Sequence, residues 1–147
     1  MAAFAALDVS KKSTSIHIVD EKGVCLWRGK TLTNPAALAE ALSPFSDDLT
    51  LVGLETGSWT TWLWHELTER GFPMVCMDAR QAHAALSVTI NKTDANDAQG
   101  LAHLLRTGLF REVRVKGWED VQKRTLLRAR STMLRCVLDL ANAIRGA

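Results

Sequence analysis

Thr50-Leu51-Val52-Gly53-Leu54-Glu55 is an uninterrupted apolar run that stops at an acid. A run of this length and composition suits a central strand covered on both faces. Thr56-Gly57-Ser58 then turns the chain into a helix expected to reach Arg70, with Gly71 as its stop. Phe72 to Met77 is the next apolar segment, so strand, helix and strand form a right-handed parallel crossover.

Upstream, Phe4-Ala-Ala-Leu-Asp8-Val9 reads as a second buried strand carrying a carboxylate near its end. Thr14 to Val19 alternates polar and apolar residues, the period of a half-buried strand. Asp20-Glu-Lys-Gly23 is turn chemistry before a third strand, Val24 to Arg28. Short connections make these three an antiparallel meander. Asn34 and Pro35 cap and open a helix to Leu42. Downstream, helices are expected from Ala79 to about Val88, and from Asp94 to Arg106 with Thr93 as cap and Gly108 as stop. The predicted fold class is α/β, a mixed five-stranded sheet with flanking helices.

Trp118 to Ile144 holds neither Gly nor Pro, and Leu126, Ala129, Met133, Val137, Leu140 and Ile144 recur at gaps of three and four. One stripe of a long helix is therefore apolar. It belongs to no sheet and is expected to pair with another helix, as in a coiled coil, so the chain is a candidate homo-oligomer through this segment. Residues 1–115 are expected to form the α/β domain, and 116–147 the start of a helical segment.

The chain of 147 residues carries a net charge of +2. Nine basic residues against four acidic ones from Arg111 onward leave a surplus of five there and a deficit of three before it. An acidic front and a basic tail suit a cation site beside a polyanion-binding surface. No apolar run approaches the roughly 20 residues that cross a bilayer, and no basic flank opens the chain, so no membrane partner and a cytoplasmic location are expected. Cys25, Cys76 and Cys136 lie in apolar stretches without zinc-ligand spacing, and buried reduced thiols are expected.

Two acids interrupt apolar strands, Asp8 and Glu55, and neighbouring central strands would bring them together. Asp94 and Asp97 share one face of a first helical turn. Helix-dipole stabilisation explains that last pair without chemistry. The functional reading is that four carboxylates become tolerable where divalent cations oppose them. Hard oxygen donors select Mg²⁺ or Mn²⁺, and two ions about 4 Å apart would clamp a phosphodiester.

Leu7-Asp8-Val9-Ser10-Lys11, Glu55-Thr56-Gly57 before Trp59, and Lys92-Thr93-Asp94-Ala95-Asn96-Asp97-Ala98 before Leu101-Ala102 resemble the DEDD insertion-sequence transposases, the family that includes the Piv-type invertases. The resemblance runs in order over essentially the whole chain. It implies an RNase H-like domain similar to the RuvC Holliday-junction resolvases. Asp8, Glu55, Asp94 and Asp97 would be its catalytic metal ligands, DNA its substrate, and a structured bridge RNA its guide. Full-length members carry a further C-terminal domain with a nucleophilic serine, and none of the serines here lies in the corresponding context. Ala6 stands where many members have Gly. Asp78-Ala79-Arg80 replaces an Asn-Pro pair of other members, and Asp78 reads as a structural strand-end residue.

Lys11, Lys12 and Lys92 adjoin the acids and are candidate phosphate contacts, the competing reading being solvent exposure. Arg124, Arg128 and Arg135 fall within about 40° of one another on the long helix, a nucleic-acid face or a solvated one. Trp59 and Trp62 share a helix face expected to pack on the sheet, with base stacking the minor alternative. His17, His65, His83 and His103 show no ligand spacing and read as structural. Two further functions compete with a DNA-cleaving recombinase. One is a non-catalytic nucleic-acid-binding or assembly module, which the basic tail permits. The other is a phosphotransferase of the actin and sugar-kinase type, faintly echoed by Asp8-Val-Ser-Lys and the following hairpin.

Overall fold

A computed structural model of the chain describes residues 2–87 and 94–146, with the backbone alone for 94–96. Five strands, β1 (Ala3–Val9), β2 (Ser13–Asp20), β3 (Cys25–Leu32), β4 (Leu49–Glu55) and β5 (Met74–Met77), form one sheet in the order β3-β2-β1-β4-β5. The first three are antiparallel neighbours, while β1–β4 and β4–β5 are parallel. The helices are α1 (Pro35–Leu42), α2 (Thr60–Glu69), α3 (Ala79–Leu86), α4 (Asp94–Thr107) and α5 (Trp118–Arg145). The mixed α/β sheet read from the sequence is the one observed.

Local chemistry fixes the connections. The Asp20 carboxylate accepts from the Lys22 and Val24 N–H groups, at 2.9 and 2.8 Å. Gly23 supplies the positive φ (+86°) that tightens this hairpin. Asn34 Oδ1 accepts from the Ala36 N–H at 2.8 Å and starts α1. The Thr60 hydroxyl donates to the Glu55 carbonyl at 2.6 Å, closing the turn between β4 and α2.

Alternation divides the core into two layers. Leu7, Ile16, Ile18 and Leu54 pack beneath α1 and α2 with Leu38, Leu63 and Leu67. Ala6, Val75 and Met77 face the opposite way, against Leu101, Ala102 and Leu105 of α4 and Ala82 of α3. Gly53 lets α4 close on the sheet. A Cβ there would stand 2.6 Å from both Leu105 methyl groups.

Several boundaries differ from the sequence reading. β3 extends to Leu32 because it pairs along all of β2. β5 starts at Met74 because the Phe72 N–H turns back to the Leu67 carbonyl (3.1 Å) and closes α2. Beyond β5 the chain returns antiparallel, Glu112 bridging to Met77. The expected Thr93 cap, Lys92 and the end of the helix at Val88 lie outside the described residues. Only one cysteine expectation holds for burial: Cys76 is buried, but Cys25 and Cys136 are exposed. Cys25 sits on edge strand β3, and Cys136 on a helix that buries nothing. Trp62 packs on the core as expected, whereas Trp59 is 38% exposed. A bend at Thr56 and Gly57 and a turn at Ser58 and Trp59 delay α2 to Thr60 and leave Trp59 ahead of the helix.

By its contacts the chain divides at Val115/Lys116. Residues 116–147 consist mainly of α5, which has no buried side chain. Leu126, Met133, Val137, Leu140 and Ile144 are each more than 60% exposed, so the apolar stripe is uncovered in the single chain. Among the described residues no helix is long and apolar enough to cross a membrane.

Candidate functional site

β1 and β4 run parallel with Leu7 opposite Leu54. Each leucine is followed by an acid, so Asp8 and Glu55 stand side by side one strand spacing apart, about 4.8 Å. The leucines enter the α1/α2 layer, so strand alternation turns both acids towards the α3/α4 layer. After these ends the chain departs in opposite directions. β1 leads outward to β2, and β4 leads through α2 to β5. Such a divergence at carboxyl strand ends opens a crevice in α/β sheets. A cleft of about 80 Å³ lies there, lined by Asp8, Glu55, Thr56, Ser58, Trp59 and Thr60.

The surroundings hold the crevice in shape. The Thr56 N–H donates to the Met77 carbonyl at 2.9 Å. The Thr56 hydroxyl accepts from the Ala79 N–H at 3.1 Å. Asp78 caps α3 through its carboxylate, which accepts from the Arg80 and Gln81 N–H groups, as its structural reading expected. His83, on α3, brings Nε2 to 3.8 Å from Glu55 Oε2. Nothing in the sequence pointed to this histidine, because its neighbour lies 28 residues away on another element.

Negative potential gathers at this end of the sheet. The Cys76 thiol is pushed up to about 11, first by burial and then by the charges of Glu112, Asp78 and Glu55. Side-by-side carboxylates in such a field favour a bound cation, and the donors are hard oxygens of the kind Mg²⁺ and Mn²⁺ take. The small cleft suits an ion with a few waters rather than a whole nucleotide. The residues therefore fit a divalent metal.

Asp97 is half-buried in the first turn of α4 and is not among the lining residues of the cleft. Its neighbour Ala98 faces Ser15, the residue paired with Asp8, across a second cleft. Asp94 opens α4, and its side chain lies outside the described residues. Among the described residues no three His, Cys, Asp or Glu side chains gather as a ready metal site. Lys11 and Lys12 are exposed in the β1–β2 turn. Arg124, Arg128 and Arg135 are exposed on α5, in the second unit.

A family model described as a transposase, of the DEDD type named for IS110, matches residues 5–147. No curated protein matches. Among solved structures, RuvC of Thermus thermophilus is similar at 15% identity and a TM-score of 0.53, over 76% of this chain and 99% of that one. The large terminase nuclease of thermophilic phage G20c overlaps at 14% identity and a TM-score of 0.43, over 73% and 54%. A ROK family glucokinase from Streptomyces griseus overlaps at 20% and 0.43, over 57% and 35%. The last two overlaps are slight.

Proposed function

Because the chain belongs to the IS110-type DEDD transposase family, and its sheet has the RuvC-like fold, we propose that it cleaves DNA strands in transposition with divalent metal. Asp8 and Glu55 hold Mg²⁺ or Mn²⁺, joined by Asp94 and Asp97 from the start of α4, and the set binds two ions. Such cations, when bound, would polarise the phosphodiester and stabilise the oxygen that attacks it and the oxygen that leaves. The chain's own contribution is positional. β1 and β4 fix two carboxylates at neighbouring strand ends of one rigid sheet, which orients them without a loop rearrangement. Thr56 and Ser58 offer hydroxyls beside them, and Trp59 presents a partly exposed ring to a base at the rim.

The observation that carries this reading is the side-by-side placement of Asp8 and Glu55 where the chain diverges. Partners follow from charge. DNA is the substrate, and the exposed arginines of α5 suit contact with nucleic-acid phosphates, a structured guide RNA included. The uncovered stripe of α5 pairs with a second copy. In a strand-cleavage assay of the full chain, Asp8→Asn and Glu55→Gln should each lower the rate on the order of a thousandfold with the thermal melt preserved. Undiminished cleavage by Glu55→Gln would contradict the assignment.

A further inference from the structure

A second, larger cleft of about 380 Å³ lies on the same sheet face, lined by Ser15, His17, Arg28, Lys30 and Ala98. Strand register explains why these residues meet. Ser15 pairs with Lys30 and His17 with Arg28, so β2 and β3 present two polar rows to the side covered by α4. The first row continues across the sheet from Lys30 to Ser15, Asp8 and Glu55. Lys30 therefore stands two strand spacings, about 10 Å, from the first carboxylate, with Arg28 one row further along the strand.

Three features mark this cleft as built for a ligand. Arg28 and Lys30 are exposed cations two residues apart on an edge strand, hence on one face. His17 is only 4% exposed, yet its Nε2 has no hydrogen-bond partner among the described residues. A buried polar atom left so is costly unless something enters to meet it. Burial, then His103 and Arg28, hold the imidazole below its usual range, so at neutral pH it is uncharged and able to hydrogen-bond as donor or acceptor. The volume, finally, is within the range of small-ligand sites, about 300–1,000 Å³, whereas the acidic cleft is far below it.

We propose that this cleft holds the nucleotide next to the scissile phosphate on the same DNA strand, Arg28 and Lys30 contacting its phosphates and His17 with Ser15 its polar edge. The inference rests on the strand-cleavage reading. A strand whose phosphate lies at Asp8 and Glu55 continues along the polar row to the cations, so one surface serves both.

The test is fluorescence-anisotropy binding of oligodeoxythymidylate to the full chain in EDTA, across a salt series. Arg28→Ala/Lys30→Ala should weaken binding on the order of tenfold and flatten the log–log salt slope by about 1.4, the value for two lost single-strand contacts. The control Lys22→Ala/Arg70→Ala, which removes equal charge elsewhere on this unit, should shift both much less. An unchanged slope in the first variant, or an equal change in the control, would overturn the proposal. So would loss of oligouridylate binding alone. Mn²⁺ binding separates the two readings. Arg28→Ala/Lys30→Ala should retain it, while Asp8→Asn should lose at least one of the two ions.

Discussion

His17 shows how a single side chain records its surroundings. Burial and the neighbouring His103 and Arg28 lower its proton affinity from the ordinary 6.5. The unfolded chain then binds the proton more readily, so stability falls as pH drops through 6.5 towards the lower folded value. Urea titrations between pH 7.5 and 5 should show this loss, and His17→Gln should remove that component. Asp8 and Glu55 stand out in the sequence because each breaks an apolar run that has no other use for a charge, and the parallel register of β1 and β4 sets them side by side. His83 does not, since only the fold carries α3 to β4. Arg28 and Lys30 were equally silent: alternating cations on an edge strand read as a solvated face, and their meeting with His17 depends on register.

At the scale of elements, α4 packs on the sheet face towards which Asp8 and Glu55 turn. Its seat depends on Gly53, which lets Leu105 reach β4. Leu105 is 1% exposed and has nowhere to move. Gly53→Ala should therefore destabilise the fold by about 1–3 kcal/mol, read as a lower urea midpoint, and should weaken divalent-metal binding by tilting the helix. A neutral melt with unchanged metal affinity would show that α4 seats independently of β4. The strands and helices themselves were readable from period and caps, but the alternation of β2, read as half-buried, belongs to a strand buried on both faces from Thr14 to Val19, since α4 covers its polar side. The ends of the elements were less readable where a tertiary bond overrides local propensity, as when Phe72 turns back to close α2 instead of joining β5. Apolar sequence context likewise misjudged Cys25 and Cys136, because an edge strand and an unpartnered helix bury nothing.

For the whole molecule, the sheet order follows from composition. The two most apolar strands, β1 and β4, pair at the heart of the sheet, and β2 and β3 take one side. The uncovered stripe of α5 carries its own expectation. Sedimentation velocity should show the chain's mass doubling with concentration, and Val137→Glu should keep it monomeric. A monomer at high micromolar concentration would deny α5 a self-pairing role.

The most direct measurement is a Mn²⁺ titration of the full chain followed by electron paramagnetic resonance, with Asp8→Asn and Glu55→Gln alongside. Two bound ions in the unaltered chain, with at least one lost in each variant, are expected if paired carboxylates at the β1 and β4 ends hold the metal. Equal Mn²⁺ uptake by all three proteins would contradict it.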